Sequence, residues 1–171
     1  MLSAEYITKK LDLKPLPIEG GYYSQTYCSS ERIPKIALPD RYVSDRPFGS
    51  AIYYLLTPET CSALHKLKSD EIYHFYLGDT VIMLHLRPDG TAGTIELGHD
   101  LEKGQKLQVV VPRGVWQGSF LQKGGRFALL GITMAPAYDD SDFIIGDREA
   151  LVGQYPESKE LAMRLTPQKP T

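Results

Sequence analysis

Residues 62–78 read Ser62-Ala-Leu-His65-Lys-Leu-Lys-Ser-Asp-Glu71-Ile-Tyr-His-Phe-Tyr-Leu-Gly78. Aromatic and branched residues predict strands over Ser62 to Leu67 and Glu71 to Leu77, with Gly78-Asp79 turning the chain afterwards. Side chains two apart on a strand share a face, so Ala63, His65 and Leu67 go together, as do Glu71, Tyr73, Phe75 and Leu77. His74 then points the other way unless a bulge intervenes. A histidine and a carboxylate from neighbouring strands can thus meet inside one lumen, and His65 with Glu71 is the preferred pair.

The same reading extends along the chain. Further strands are expected at Tyr22 to Ser29, Ala51 to Thr57, Val81 to Arg87, Thr94 to Leu97, Lys106 to Val111, Ser119 to Gln122 and Phe127 to Met134. Pro88-Asp89-Gly90 and Lys123-Gly124-Gly125 separate such runs as turns. A short helix is expected at Ser3 to Leu11, with Ser3 as its cap and Tyr6, Ile7 and Leu11 as its apolar stripe, ended by Pro15 and Pro17. Two more are expected at Arg148 to Gln154 and Ser158 to Leu165, packed outside the strands or across a partner. Many short strands with Gly and Pro turns make an all-β sandwich or barrel. With no repeat, low-complexity run or linker, residues 1–171 are expected to form a single domain, its barrel core spanning about 19–146.

Nineteen Lys+Arg against twenty-one Asp+Glu give a net charge of −2, which provides no basic face for a nucleic acid polymer. The composition, 42% hydrophobic and 23% charged, is that of a soluble globular chain. No basic region followed by an apolar run opens the sequence and no stretch approaches a membrane span, so a cytoplasmic address is expected. Cys28 and Cys61 lie in no metal-ligand spacing, and are expected as reduced, mostly buried thiols.

A second polar segment, Gly104 to Gln117, contains Pro112-x-Gly114-x-x-Gln117. With His65, Glu71 and Gly78 it resembles the two motifs of the cupin superfamily, G-x5-H-x-H-x3/4-E-x6-G and G-x5-P-x-G-x2-H-x3-N. Leu67 stands at the second histidine and Gln117 at the histidine of the second motif, so two of the family's four usual metal ligands are missing. No metal and no cofactor are therefore expected, because a carboxamide is a weak ligand and leucine is none. The segments Glu19-Gly-Gly-Tyr-Tyr-Ser24, Ser50-Ala-Ile-Tyr-Tyr-Leu-Leu56, Leu64 to Ile72, Val111-Pro-Arg-Gly-Val-Trp-Gln117 and Ala135-Pro-Ala-Tyr138 resemble a cupin branch of unknown function. This resemblance implies a jelly-roll β-barrel, usually dimeric, similar in shape to dTDP-sugar epimerases.

In those epimerases a histidine at the place of His65 removes the proton beside a keto group, and an imidazole titrates near neutral pH. His65 is thus the expected base, with Glu71 orienting it or holding a ligand hydroxyl. Tyr138 is the candidate acid, although no residue matches the epimerases' tyrosine. Gln117 offers a donor and an acceptor. Tyr22, Tyr53, Tyr73, Phe75 and Trp116 are candidate ring contacts for a sugar or nucleobase. Arg113, with Arg126 and Arg32, is a candidate fork for phosphate, convergence being the requirement. His85 and His99 are expected to be structural or exposed.

The expected function is a small-molecule pocket for a nucleoside diphosphate, sugar nucleotide or phosphorylated sugar, with epimerase or isomerase activity if it is an enzyme. A noncatalytic nucleotide- or sugar-binding module is the alternative, and a metal-dependent oxygenase the weaker one. A symmetric homodimer is expected, because the aromatic segment Tyr22 to Tyr27 provides an edge that a second copy would cover.

Overall fold

A computed structural model describes residues 2–166. Its strands are β1 (Lys14–Pro15), β2 (Tyr22–Cys28), β3 (Arg32–Ile33), β4 (Arg46–Pro47), β5 (Ser50–Leu56), β6 (Cys61–Lys66) and β7 (Glu71–Gly78). They continue as β8 (Val81–Leu86), β9 (Ala92–Leu97), β10 (Gln108–Val111), β11 (Trp116–Leu121), β12 (Ala128–Met134) and β13 (Ile144–Ile145). The helices are α1 (Ala4–Lys10), α2 (Arg148–Gln154) and α3 (Lys159–Leu165).

Most strands form two antiparallel sheets in the orders β1-β2-β5-β12-β7-β10 and β13-β6-β11-β8-β9, and β3 and β4 pair apart from them as a two-stranded sheet. This is a jelly roll of two facing sheets instead of one continuously closed barrel. Their inner faces share one core, to which the first sheet contributes Tyr54, Tyr73, Phe75, Leu130 and Ile132 and the second Val81, Met83 and Leu97. Each such side chain stabilises the fold by about 1.5–3 kcal/mol on burial. Among the described residues no helix is long and apolar enough to cross a membrane.

Helices cover the outer faces. Ser3 caps α1 by accepting from the Tyr6 amide at 3.2 Å, and Ile7 packs with Leu55, Phe127 and Leu129 on the back of the first sheet. Asp147 caps α2 in the same way through the Ala150 amide at 3.0 Å. Leu151, Tyr155, Ala162 and Leu165 of α2, its C-cap and α3 pack on Leu64, Leu84 and Phe120 of the second sheet.

Two inward assignments are corrected by these contacts. Tyr22 and Tyr53 turn outward beneath α1, while Tyr23 and Tyr54 turn inward. Alternation admits only one of two adjacent tyrosines, and the apolar stripe of α1 claims the other pair. Leu77 also lies outward. The β7 to β12 register shifts between Leu129 and Leu130, leaving Tyr76 as an extra residue between Phe75 and Leu77 and reversing parity beyond it. Cys28 is exposed, contrary to expectation, because it ends β2 at the sheet's open side, and Cys61 is half-buried; both are free thiols.

Candidate functional site

β6, β7 and β11 carry the polar centre. Gln117 pairs with His65 across β6 and β11, and Glu71 of β7 reaches both from the facing sheet, so three polar side chains meet between the sheets. His65 is buried and its Nδ1 lies 2.8 Å from the Ala63 carbonyl oxygen, which only accepts, so Nδ1 carries a proton. Its Nε2 is 3.1 Å from the Gln117 amide, 3.9 Å from Glu71 Oε2 and 4.0 Å from Glu19 Oε2. Gln117 also bonds Glu71 directly. Among the described residues, Gln117 Oε1 and the Tyr73 hydroxyl, both buried, have no hydrogen-bond partner.

Burial alone would lower the pKa of His65, but the charge of Glu19 and the contact and charge of Glu71 raise it to about 9. Two carboxylates stand within 4.0 Å of Nε2, and their charge favours the imidazolium over the neutral ring. Glu19 is raised by burial, an effect that the Glu71 charge reinforces and His65 and Ser62 oppose.

A cavity of about 730 Å³ opens beside this cluster. Glu19, Glu71 and Asp140 line it with Tyr23, Tyr138 and Phe143, and Leu16, Ile52, Leu67, Ile132 and Met134 supply an apolar remainder. Among the described residues no lysine or arginine lines it. His65 does not line it either, since the Phe143 ring stacks on the imidazole at 5.1 Å between centroids.

Of the expected site residues, His65, Glu71, Tyr73 and Gln117 converge, and Tyr138 stands at the mouth, its hydroxyl raised by burial and then by Asp140. Phe75 is inward but belongs to the core, with His99 edge-on to it at 4.9 Å. Trp116 faces outward, with Lys66 Nζ 4.4 Å above its ring, because Gln117 takes the inward place next to it. Arg113 is exposed in the turn before β11, where its amide donates to Asp70. Arg126 pairs with Asp79 at the β7 to β8 turn and Arg32 donates to the Asp45 carbonyl, so the three arginines do not converge on the cavity.

His74 faces out, as parity requires, bonded to Thr133 and Gln108. His85 is buried directly across from Gln117 on β8, and burial first, then Arg87, lowers it to about 4.

Glu19 had no sequence signal as a site residue beyond the Gly20-Gly21 pair that follows it. Both glycines have positive φ, and a Cβ on Gly20 would stand 2.3 Å from the Cys61 carbonyl oxygen. The Glu19 loop therefore presses onto β6, where its carbonyl accepts from Ala63 N at 2.7 Å and its Oε1 from Ser62 Oγ at 2.9 Å.

The donors do not fit a first-row metal. Leu67 lines the cavity at the place of the second motif histidine, and the Gln117 amide occupies the space between His65 and Glu71. Among the described residues no three His, Cys, Asp or Glu side chains form a metal-binding group.

Two facing antiparallel sheets with a polar cluster on their inner strands define a cupin. The chain belongs to the family described as Cupin superfamily (DUF985), whose profile matches residues 5–145. An uncharacterized protein of Saccharomyces cerevisiae is 28% identical over 145 residues, covering 77% of this chain and 70% of that protein. A crystal structure of a Shewanella oneidensis protein is 31% identical with a TM-score of 0.87, covering 99% of this chain and 100% of that one. A hypothetical protein from Leishmania major is 28% identical with a TM-score of 0.86, over 98% of this chain and 100% of that one. Oxalate decarboxylase from Bacillus subtilis shares the fold alone, at 14% identity and a TM-score of 0.52, over 94% of this chain and 41% of that one.

Proposed function

We propose that the lumen binds a small molecule with a ring or apolar face and hydroxyl or carbonyl groups, sugar-like in that sense, and that it moves a proton on that ligand as an epimerase or isomerase does. The observation that carries this reading is the pair of carboxylates, Glu19 and Glu71, on one wall of the cavity, backed by buried His65. Tyr23, Tyr138 and Phe143 offer the ring faces. A nucleoside diphosphate or sugar nucleotide fits only with its phosphates outside the lumen, because the lining supplies acids and no cation to meet them.

The second reading is a noncatalytic module for the same ligands. It is favoured by the absence of a tyrosine in the epimerases' position and by the burial of every polar atom of His65. Proton NMR in deuterium oxide separates the two. A panel of phosphate-free hydroxy ketones and ketoses, dihydroxyacetone among them, is incubated with the protein beside phosphorylated counterparts. Loss of the signal of a C–H next to the carbonyl of a phosphate-free compound is the expected result. Binding without exchange would leave the module, and faster exchange of the phosphorylated forms would contradict the ligand class.

A homodimer belongs to the same reading, since Tyr27, Tyr76 and Val110 are exposed on the first sheet. Light scattering at micromolar protein is expected to give twice the chain mass, and a monomer mass would contradict it.

A further inference from the structure

We infer that Glu19 is the residue that exchanges a proton with the occupant of the lumen, and that His65 is its fixed counter-ion. This rests on the proton-transfer reading above and changes the assignment of the base within it.

The geometry separates the two groups. His65 is closed off on every side: Nδ1 is bonded to the Ala63 carbonyl, Nε2 faces Gln117 and two carboxylates, and one ring face lies against Phe143. A base needs a free lone pair within reach of the ligand, and this ring has none. Glu19 lines the cavity, with a side chain 13% exposed; its Oε1 accepts from Ser62 and its Oε2 lies 4.0 Å from His65 Nε2, beside the lumen. Glu71 also lines the cavity, but its Oε2 is held by Gln117. The loop of Glu19 is fixed as well, by the Ala63 amide on its own carbonyl and by the Tyr54 hydroxyl, which donates to the Gly20 carbonyl at 2.9 Å. A carboxylate held that firmly at a lumen wall is placed for transfer at one ligand position.

The step balances without a further reactant. The carboxylate of Glu19 takes the proton from a carbon beside a carbonyl, and the electron pair of that C–H bond moves into an enolate. The carboxylic acid so formed returns a proton, exchanged with solvent, to the same face of the carbon, and inversion follows where the enolate turns in the lumen before the proton returns. Titratable groups facing Glu19 are His65 from β6, Glu71 from β7, Tyr54 from β5, and Tyr138 and Asp140 across the cavity. Burial raises the pKa of Glu19 above the ordinary glutamate value, the direction that favours its acid form, and His65 restrains that rise.

Two readouts on the full chain test this. The first is carbon-13 NMR of glutamate-labelled protein, with the Glu19 carboxyl identified by its loss in Glu19→Gln. The carboxyl is expected to titrate above the ordinary glutamate range and to move further up in His65→Asn, which removes the cation and keeps a polar side chain. A carboxyl that titrates in the ordinary range, or that ignores His65→Asn, would overturn the inference. The second is deuterium exchange into dihydroxyacetone. Glu19→Gln is expected to slow it by about 10²- to 10⁴-fold, and a Glu19→Gln variant that exchanges as fast as the parent would overturn the inference alone. A parent that exchanges nothing across the whole panel would overturn the proposed activity and Glu19's role with it.

Discussion

Replacing Arg46 by Met is expected to lower the unfolding free energy by about 3–5 kcal/mol, because it strips a buried carboxylate of its main partner. Arg46 and Asp142 are both fully buried and lie 2.8 Å apart, with no solvent to screen the orphaned charge. Arg46 also donates to Ser141 at 3.1 Å and stands 3.5 Å from Asp139. It therefore fastens the segment that holds β3 and β4 to the loop carrying Tyr138, Asp140 and Phe143. Lys68, 3.8 Å from Asp142, is the remaining compensation, and its side chain is partly exposed. Urea denaturation of the variant measures the loss. A value below about 1 kcal/mol, the range of exposed pairs, would show that this network does not hold the loop.

The second large effect concerns pH. The folded protein favours protonated His65, whose pKa rises from 6.5 to about 9. Its stabilisation is complete below 6.5, where the unfolded imidazole is protonated too, and is lost as pH climbs through about 9. The size is about 3 kcal/mol at one pKa unit per 1.36 kcal/mol. Glu19, also raised, acts in the same sense at lower pH. Stability measured by urea from pH 6.5 to 9.5 is therefore expected to fall in the parent, and to fall less in His65→Asn. Equal slopes for the two proteins would contradict a charged His65.

These effects arise at residues that differ in how visible they are in sequence. Runs of aromatic and branched residues between Gly and Pro turns made the nine long strands readable, even where both faces are buried, as in β6, β11 and β12. The two-residue strands β1, β3, β4 and β13 hold no period and were not readable. His65, Glu71 and Gln117 were legible through the resemblance of their spacing to the two cupin motifs, and they meet across the facing sheets, His65 and Gln117 from β6 and β11 and Glu71 from β7. Glu19 was not, since it sits in a turn and meets Ser62 and His65 only through tertiary contact. The Arg46 to Asp142 pair spans ninety-six positions and carries no spacing signal.

Parity failed where the sequence is locally symmetric or the register breaks. Tyr22-Tyr23 and Tyr53-Tyr54 read the same in either phase, and only the docking of α1 chooses between them. Leu77 reversed because a bulge is invisible in a run of apolar residues. The phosphate-binding arginines failed for another reason. Arg113 and Arg126 are turn residues whose neighbours in sequence say nothing about the cavity, and each meets an aspartate of a different turn, Asp70 and Asp79.

The lumen beside Glu19, Glu71 and His65 is the proposed ligand site, and a thermal-shift screen reads binding there. Phosphate-free sugars and hydroxy ketones, nucleoside diphosphates and sugar nucleotides are each added to the parent and to a Glu19→Gln, Glu71→Gln double variant. A ligand that binds only the folded state raises Tm, by linkage. At least one phosphate-free compound is expected to raise the parent's Tm and to lose most of that shift in the double variant. A folded double variant that keeps every shift of the parent, or a parent stabilised by nucleoside diphosphates alone, would contradict the account.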